Sequence, residues 1–273
     1  MTARGPRVTV HGRIIGGAII KSRSGPIAFD GKRKRDPSNG VRSGPSAMTH
    51  CSSLVAHCCG WSLAPEGAAV HAEERTAVIA DVHLGYEWAR GSGGDIIPAH
   101  SLAETIAKLE ALLRRAPIVR LVVAGDLVES PGPCPRTSAD VRRLVAWLGE
   151  RGVELVWLRG DHDPRRSPPL PATCEVAGWT IGHGSRPIPG DRTIFGHHHP
   201  AIRAGGLTAP CFAVGRRTIA LPAFSPNAAG LAINAATPPP ALRGRDLRCF
   251  AGLDGELLDF GPLDGLAGRL RVG

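Results

Sequence analysis

Three short apolar runs, each ending in a carboxylate, constrain this chain more than any other feature. They are "TAVIAD" (76–81), "VRLVVAGD" (119–126) and "VELVWLRGD" (153–161). Short runs rich in Val and Ile, bounded by Gly or Asp, read as buried strands. The segments between them read as helices. "SLAETIAKLEALLRRA" repeats Leu102, Ile106, Leu109, Leu112 and Leu113 at helical intervals. Its Ser101 and Glu104 stand in capping-box spacing, and Arg114 and Arg115 suit a helix C-terminus. "SADVRRLVAWLGERG" follows the same logic, with Ser138 as cap and Gly152 as stop. Strands alternating with helices imply an α/β fold with parallel strands and helical crossovers. After Pro168 the texture turns to short strands, "GWTIGHG", "DRTIFGHHHP" and "CFAVGRRTIALPAF", which predict a second, β-rich layer. "DLRCFAGLDGELLDF" carries Asp254–Gly255 between apolar runs, a hairpin signal.

Such folds place their chemistry at the carboxyl ends of strands, and polar residues are concentrated there. The first run delivers Asp81 and His83, which an extended backbone would turn to one side. The second delivers Gly125-Asp126, and the third Gly160-Asp161-His162-Asp163. Gly182-His183 and "GHHHP" (196–200) follow. By the same alternation His197 and His199 share a side and His198 points away. Asp81, His83, Asp126, Asp161, His183, His197 and His199 together form a mixed carboxylate and imidazole set. That set suits Mn²⁺, Fe²⁺ or Zn²⁺ better than Ca²⁺ or a thiolate cluster. Seven ligands exceed the need of one ion; with one carboxylate shared, they suit two ions about 3.5–4 Å apart, as in phosphoryl chemistry.

The net charge of +9 invites a nucleic-acid reading, but its distribution matters. Residues 1–50 hold ten Lys and Arg against Asp30 and Asp36, leaving 23 basic and 22 acidic side chains in the rest. The body is balanced, and with 4% aromatic residues it lacks the stacking platform of single-strand binders. The basic head, rich in Gly, Ser and Pro, reads as a disordered extension, with Met48 as an alternative start. Residues 51–235 read as the catalytic domain, and 236–273 as a linker and C-terminal hairpin packed on it. The longest apolar run of the head, Ile14 to Ile20, falls far short of the roughly 20 residues that span a bilayer. Seven cysteines without repeated spacing argue against a disulfide framework and suit a reducing cytoplasm.

The ordered set DxH, GD, GDHD, GH and GHxH, each piece after an apolar strand, resembles the calcineurin-like metallophosphoesterases. "LAPEGAAV", "IADVHLGYEWARGSGG" with Pro98, "PCF" (210–212) and "LPAFSPNAAG" look like one branch, the bacterial DNA-ligase-associated metallophosphoesterases. The resemblance covers roughly residues 60–232 and implies a four-layer αββα sandwich with two metals at its rim. It implies that Asp81, His83 and His199 hold one ion, Asp161, His183 and His197 the other, and that Asp126 bridges them. His162 matches the histidine that protonates the leaving oxygen or steadies charge while a water made acidic by the ions attacks phosphorus. Arg90, Arg165 and Arg166 are candidate phosphate contacts. The family's third motif normally reads GNHD, so Asp161 adds a negative charge where asparagine is usual; Glu129 stands where the branch often shows histidine. Three activities follow: a phosphodiesterase acting on DNA beside a ligase and helicase, a small-molecule phosphodiesterase or nucleotide-diphosphate pyrophosphatase, and a catalytically weak metal-holding subunit of a repair complex. Manganese is the expected metal.

Overall fold

The computed structural model describes residues 55–56, 59–165, 167–228, 230–235, 238–243, 246–266 and 270. The basic head and Arg166 lie outside the described residues. The first sheet runs in chain order: β1 (Val55–Ala56), β2 (Trp61–Ala64), β3 (Ala68–His71), β4 (Thr76–Ile79), β5 (Arg120–Val123) and β6 (Glu154–Trp157). Strands β1 to β4 form an antiparallel meander, and β4, β5 and β6 are parallel. Helices α1 (Tyr86–Ser92) and α2 (Ser101–Arg115) make the first crossover, and α3 (Pro135–Glu150) the second.

Period-two alternation sorts the side chains of this sheet. Ala77, Ile79, Leu121, Val123, Leu155 and Trp157 face Leu109 and Leu112 of α2 and Leu144 and Leu148 of α3. Val78, Val122 and Val156 face the opposite way, onto the second sheet. That sheet has nine strands: β7 (Thr173–Val176), β8 (Trp179–Gly182), β9 (Thr193–Phe195), β10 (Pro200–Ala204), β11 (Leu207–Val214), β12 (Thr218–Ala220), β13 (Leu231–Ala232), β14 (Arg248–Leu253) and β15 (Glu256–Pro262). Trp179, Ile181, Ile194, Phe212 and Ile219 fill the space between the sheets. The outer face of the second sheet packs Phe195, Ile202, Cys211 and Cys249 under Leu242 and Leu266. This gives the α/β layering of a calcineurin-like fold. Among the described residues its fourth layer is thin, a 3-10 turn at Pro240–Leu242 and the chain around Leu266. The β14–β15 hairpin turns at Asp254–Gly255, both left-handed, and β14 pairs with β11.

Both helices begin differently from their sequence signals. Helix α2 has His100 as N-cap, with no capping side chain. The Ser101 hydroxyl instead donates to Glu87 Oε1 (3.0 Å) and accepts from the Gly85 amide (3.2 Å), so tertiary contacts take the oxygen that a cap would use. Helix α3 starts at Pro135 with Cys134 as N-cap, which places Ser138 inside the first turn. Proline is favoured there because the first helical amides have no intrahelical acceptor.

Candidate metal centre

The parallel strands β4, β5 and β6 end at one edge, and the loops after them carry Asp81 and His83, Asp126, and Asp161 to Asp163. In the second sheet β8 and β9 are also parallel, and the loops after them carry His183 and His197 to His199. The two sets meet because the backbones approach closely. A Cβ on Gly196 would collide with Asp81 Oδ2 and the Ala80 methyl, and one on Gly160 with the Asp126 carboxylate. Only glycine fits at either place.

The convergence of Asp81 with His83, and of His197 with His199, does not come from an extended strand tip. Strand β4 ends at Ile79, and Asp81, His83, Asp126, His197 and His199 all have left-handed backbones, with φ between 44° and 64°. Backbone hydrogen bonds hold these turns: Val82 N and His83 N both donate to Asp126 O, Asp81 N to Gly125 O, and Ser225 N to Asp81 O. The loop carrying Ser225 is tied down by Lys108, whose Nζ donates to Phe224 O at 2.6 Å. Burial pushes the Lys108 ammonium down to about 8, against the opposing charges of Glu66 and Glu104.

Ligand-capable atoms of Asp81, His83 and His199 lie within 4.8 Å of one another, and so do those of Asp161, His183 and His197. Asp81, Asp126 and His183 form a third such group, linking the first two. Asp81 Oδ1 is 3.3 Å from both His183 Nε2 and His199 Nε2, and Asp126 Oδ2 is 3.1 Å from His183 Nε2. His198 belongs to none of these groups; its ring lies beside Phe195 and His197.

Burial alone would raise the Asp81 carboxyl, but the His183 and His199 imidazoles outweigh it and hold the group down at about 2. Asp126 is lowered in the same way: burial opposes, and His183 and the His162 amide prevail. Burial would lower His183, yet Asp126 and Asp81 push it up to about 10. Even with these pairings, Asp81 Oδ1, His183 Nε2 and His83 Nε2 are buried without a hydrogen-bond partner. Buried polar atoms without partners are costly. A carboxylate oxygen and imidazole nitrogens converging in this state are what divalent cations would satisfy, so the residues present fit a metal centre.

Three groups in the site had no role assigned from the sequence. Asp163, buried, accepts from Gly160 N (2.8 Å) and Asp126 N (3.0 Å) through Oδ2 and from Val128 N (3.3 Å) through Oδ1, locking the loops after β5 and β6 together. Burial raises its carboxyl, with the neighbouring Asp126 charge adding to it and the hydrogen bonds opposing. Glu129 meets two histidines: its Oε2 is 2.8 Å from His83 Nδ1, and its carbonyl is 2.6 Å from Nδ1 of His162, whose ring packs edge-on to His83. Ser185 Oγ donates to Asp161 Oδ1 at 2.9 Å. Glu129 stands out in the sequence only as a departure from the branch's usual histidine, and the cue for Ser185 is position alone, two residues after His183. Of the candidate arginines, Arg90 is paired with Asp95 at 2.6 Å, and Arg165 lines a cavity beside Asp161. No described helix is long and apolar enough to cross a membrane.

The calcineurin-like phosphoesterase family profile matches residues 74–205, the span that contains every residue of this centre. Among solved structures, the crystal structure of Pseudomonas putida nuclease MPE superposes with a TM-score of 0.59 at 22% identity, covering 76% of this chain and 99% of that one. No curated protein matches the chain. The strand-end carboxylates, the histidine loops facing them and the family match converge: residues 74–205 match the calcineurin-like phosphoesterases, and the chain is a metal-dependent phosphoesterase.

Proposed function

We propose that this protein is a phosphodiesterase with two divalent ions, most simply Mn²⁺, and that its substrate is nucleic acid undergoing repair. In this reading residues 51–235 form the catalytic domain of a cytoplasmic enzyme of the DNA-ligase-associated branch, working beside a ligase and a helicase. The observation that carries the reading is the buried Asp81–Asp126–His183 group, which joins two further ligand triads into one continuous cluster. Asp81, His83 and His199 would hold one ion and Asp161, His183 and His197 the other, with Asp126 between them. Two ions so held make a water acidic and neutralise charge on phosphoryl oxygens. The structurally similar Pseudomonas putida protein is a nuclease, which favours a nucleic-acid substrate here.

His162 acts on the substrate in this scheme. Its Nδ1–H donates to the Glu129 carbonyl, and its own amide donates to Asp126 Oδ1 at 2.8 Å. The ring is thereby oriented and Nε2 left free to give a proton to the leaving oxygen. Burial lowers His162, but the Glu129 carbonyl and the charges of Asp126 and Glu129 outweigh it and keep the imidazole the more readily protonated. Glu129 is a positioning residue: its carboxylate orients His83 as outer partners orient metal-bound histidines elsewhere.

Hydrolysis of bis(4-nitrophenyl) phosphate with and without added Mn²⁺ tests the reading. The expected result is metal-dependent turnover that His162→Ala lowers by about 10²–10⁴ while metal content stays the same. Absence of turnover with any divalent ion would favour the metal-holding subunit, for which the extra charge of Asp161 is the supporting feature.

A further inference from the structure

The metal centre opens on one side into a cavity of about 510 Å³, bordered by Asp161 and His183 themselves. Its volume is that of a small-ligand site. Three guanidinium groups reach it, from Arg159, Arg165 and Arg186. All three residues are exposed, and none makes an ion pair among the described residues. Arg151 and Arg248, also exposed, each meet a carboxylate. The two acids of the cavity do not neutralise these arginines. Asp163 is spent on three backbone amides, and Asp161 turns Oδ1 to the Ser185 hydroxyl. The remaining wall is aliphatic, from residues such as Pro169, Leu170 and Ile188, with no aromatic ring on which a base could stack. Three guanidiniums without carboxylate partners suit the oxygens of a phosphate.

We propose that this cavity is a subsite for a second phosphate of the substrate, next to the one being cleaved, held by Arg159, Arg165 and Arg186. The proposal rests on the phosphodiesterase reading and narrows its substrate class to esters carrying at least two phosphates. Such a second phosphate comes either from the next linkage of a nucleic-acid strand or from a diphosphate ester. Planar guanidiniums suit either source, because they grip phosphate oxygens in pairs.

The test compares two tetrathymidylates of equal length. One has three phosphodiesters; the other has a single central phosphodiester flanked by neutral methylphosphonates. The wild-type protein should prefer the fully charged strand in kcat/KM by about tenfold or more. The triple variant Arg159→Ala/Arg165→Ala/Arg186→Ala should bring that preference to within about twofold, since removing phosphate contacts removes their selectivity. Replacing exposed side chains leaves the core intact. A triple variant that cleaves both strands and 5′,5′-dithymidine diphosphate as the wild-type protein does would overturn the subsite. 5′,5′-Dithymidine diphosphate, run in parallel, identifies the source: loss confined to it assigns the second phosphate to a diphosphate, loss on the strand to nucleic acid. If the wild-type protein cleaves none of the three, the phosphodiesterase reading fails separately. Calorimetric binding of the two strands to metal-free protein then decides the subsite, with a preference in Kd that the variant loses supporting it and equal affinities sinking it.

Discussion

The two sheets bring different chemistry to one edge. The first contributes all the carboxylates, Asp81, Asp126 and Asp161, together with His83 and His162; the second contributes His183, His197 and His199 alone. Asp81 and Asp126 are sealed, at 0% and 3% exposure, whereas the His197 and His199 side chains remain 36% and 23% exposed. His83, Glu129 and His162 form a group within the first sheet, but each of the triads assigned to the two ions draws on both sheets. His199 reaches across to Asp81 and His83, and His183 and His197 reach across to Asp161. The centre therefore exists only while the sheets are packed, and its geometry depends on the apolar layer between them.

The strongest way to break this division is at a carboxylate that touches the other side. Asp126→Ala should abolish turnover and lower metal content from two ions towards one or none, measured by elemental analysis of the folded variant. Two tightly held ions in that variant would remove Asp126 from the position between the triads. Next, Ile194→Ala in the inter-sheet layer should cost about 2–5 kcal/mol of stability by denaturant unfolding. It should also weaken metal retention, although Ile194 touches no ion. A matched Leu144→Ala on the buried face of α3 should cost as much stability with far less effect on metal, because it packs on the other face of the first sheet.

A smaller effect is expected where a contact stays within the first sheet. Glu129→Gln should lower metal affinity by about 10–100-fold through loss of the carboxylate that orients His83. The smallest concerns Asp161, whose side chain is 53% exposed. Asp161→Asn should raise phosphodiester turnover or affinity a few-fold, in line with the about 1 kcal/mol of one partly exposed charge. An amide oxygen can still accept from Ser185. Kinetics at saturating Mn²⁺ decide it; a slower asparagine variant would show that the charge of Asp161 has a task of its own.

The strand order and the polar residues at strand ends were legible because hydrophobic periodicity and the carboxylate endings are local signals. Val122 between Leu121 and Val123 shows both faces of β5 in three letters. The local geometry that joins Asp81 to His83 was not legible: alternation assumed an extended chain, and the turn depends on amides donated to Asp126 O, more than forty residues away. Asp163, Glu129 and Ser185 escaped for a related reason. Each acts on a partner chosen by tertiary packing, such as Asp163 on Asp126 N or Glu129 on His83. Ser101 shows the converse, a correct local signal overridden when Glu87 and Gly85 claimed its hydroxyl.

The left-handed backbones at Asp81, His83, Asp126, His197 and His199 have a consequence for which sequences this site can accept over time. Outside glycine, that conformation is tolerated best by Asp, Asn and His, and is poorly open to branched or bulky side chains. Those same short polar residues are the ones able to ligate a hard or borderline cation. The backbone thus filters the amino-acid alphabet before chemistry does, and the survivors of the filter are already metal ligands. Drift at these five positions is channelled towards exchanges among Asp, Asn and His, which change the charge and strength of the centre while leaving its shape in place. A lineage can retune its metal or its rate by such steps, but the route to an apolar residue is opposed twice, once by the cost of the conformation and once by the loss of a ligand-capable atom.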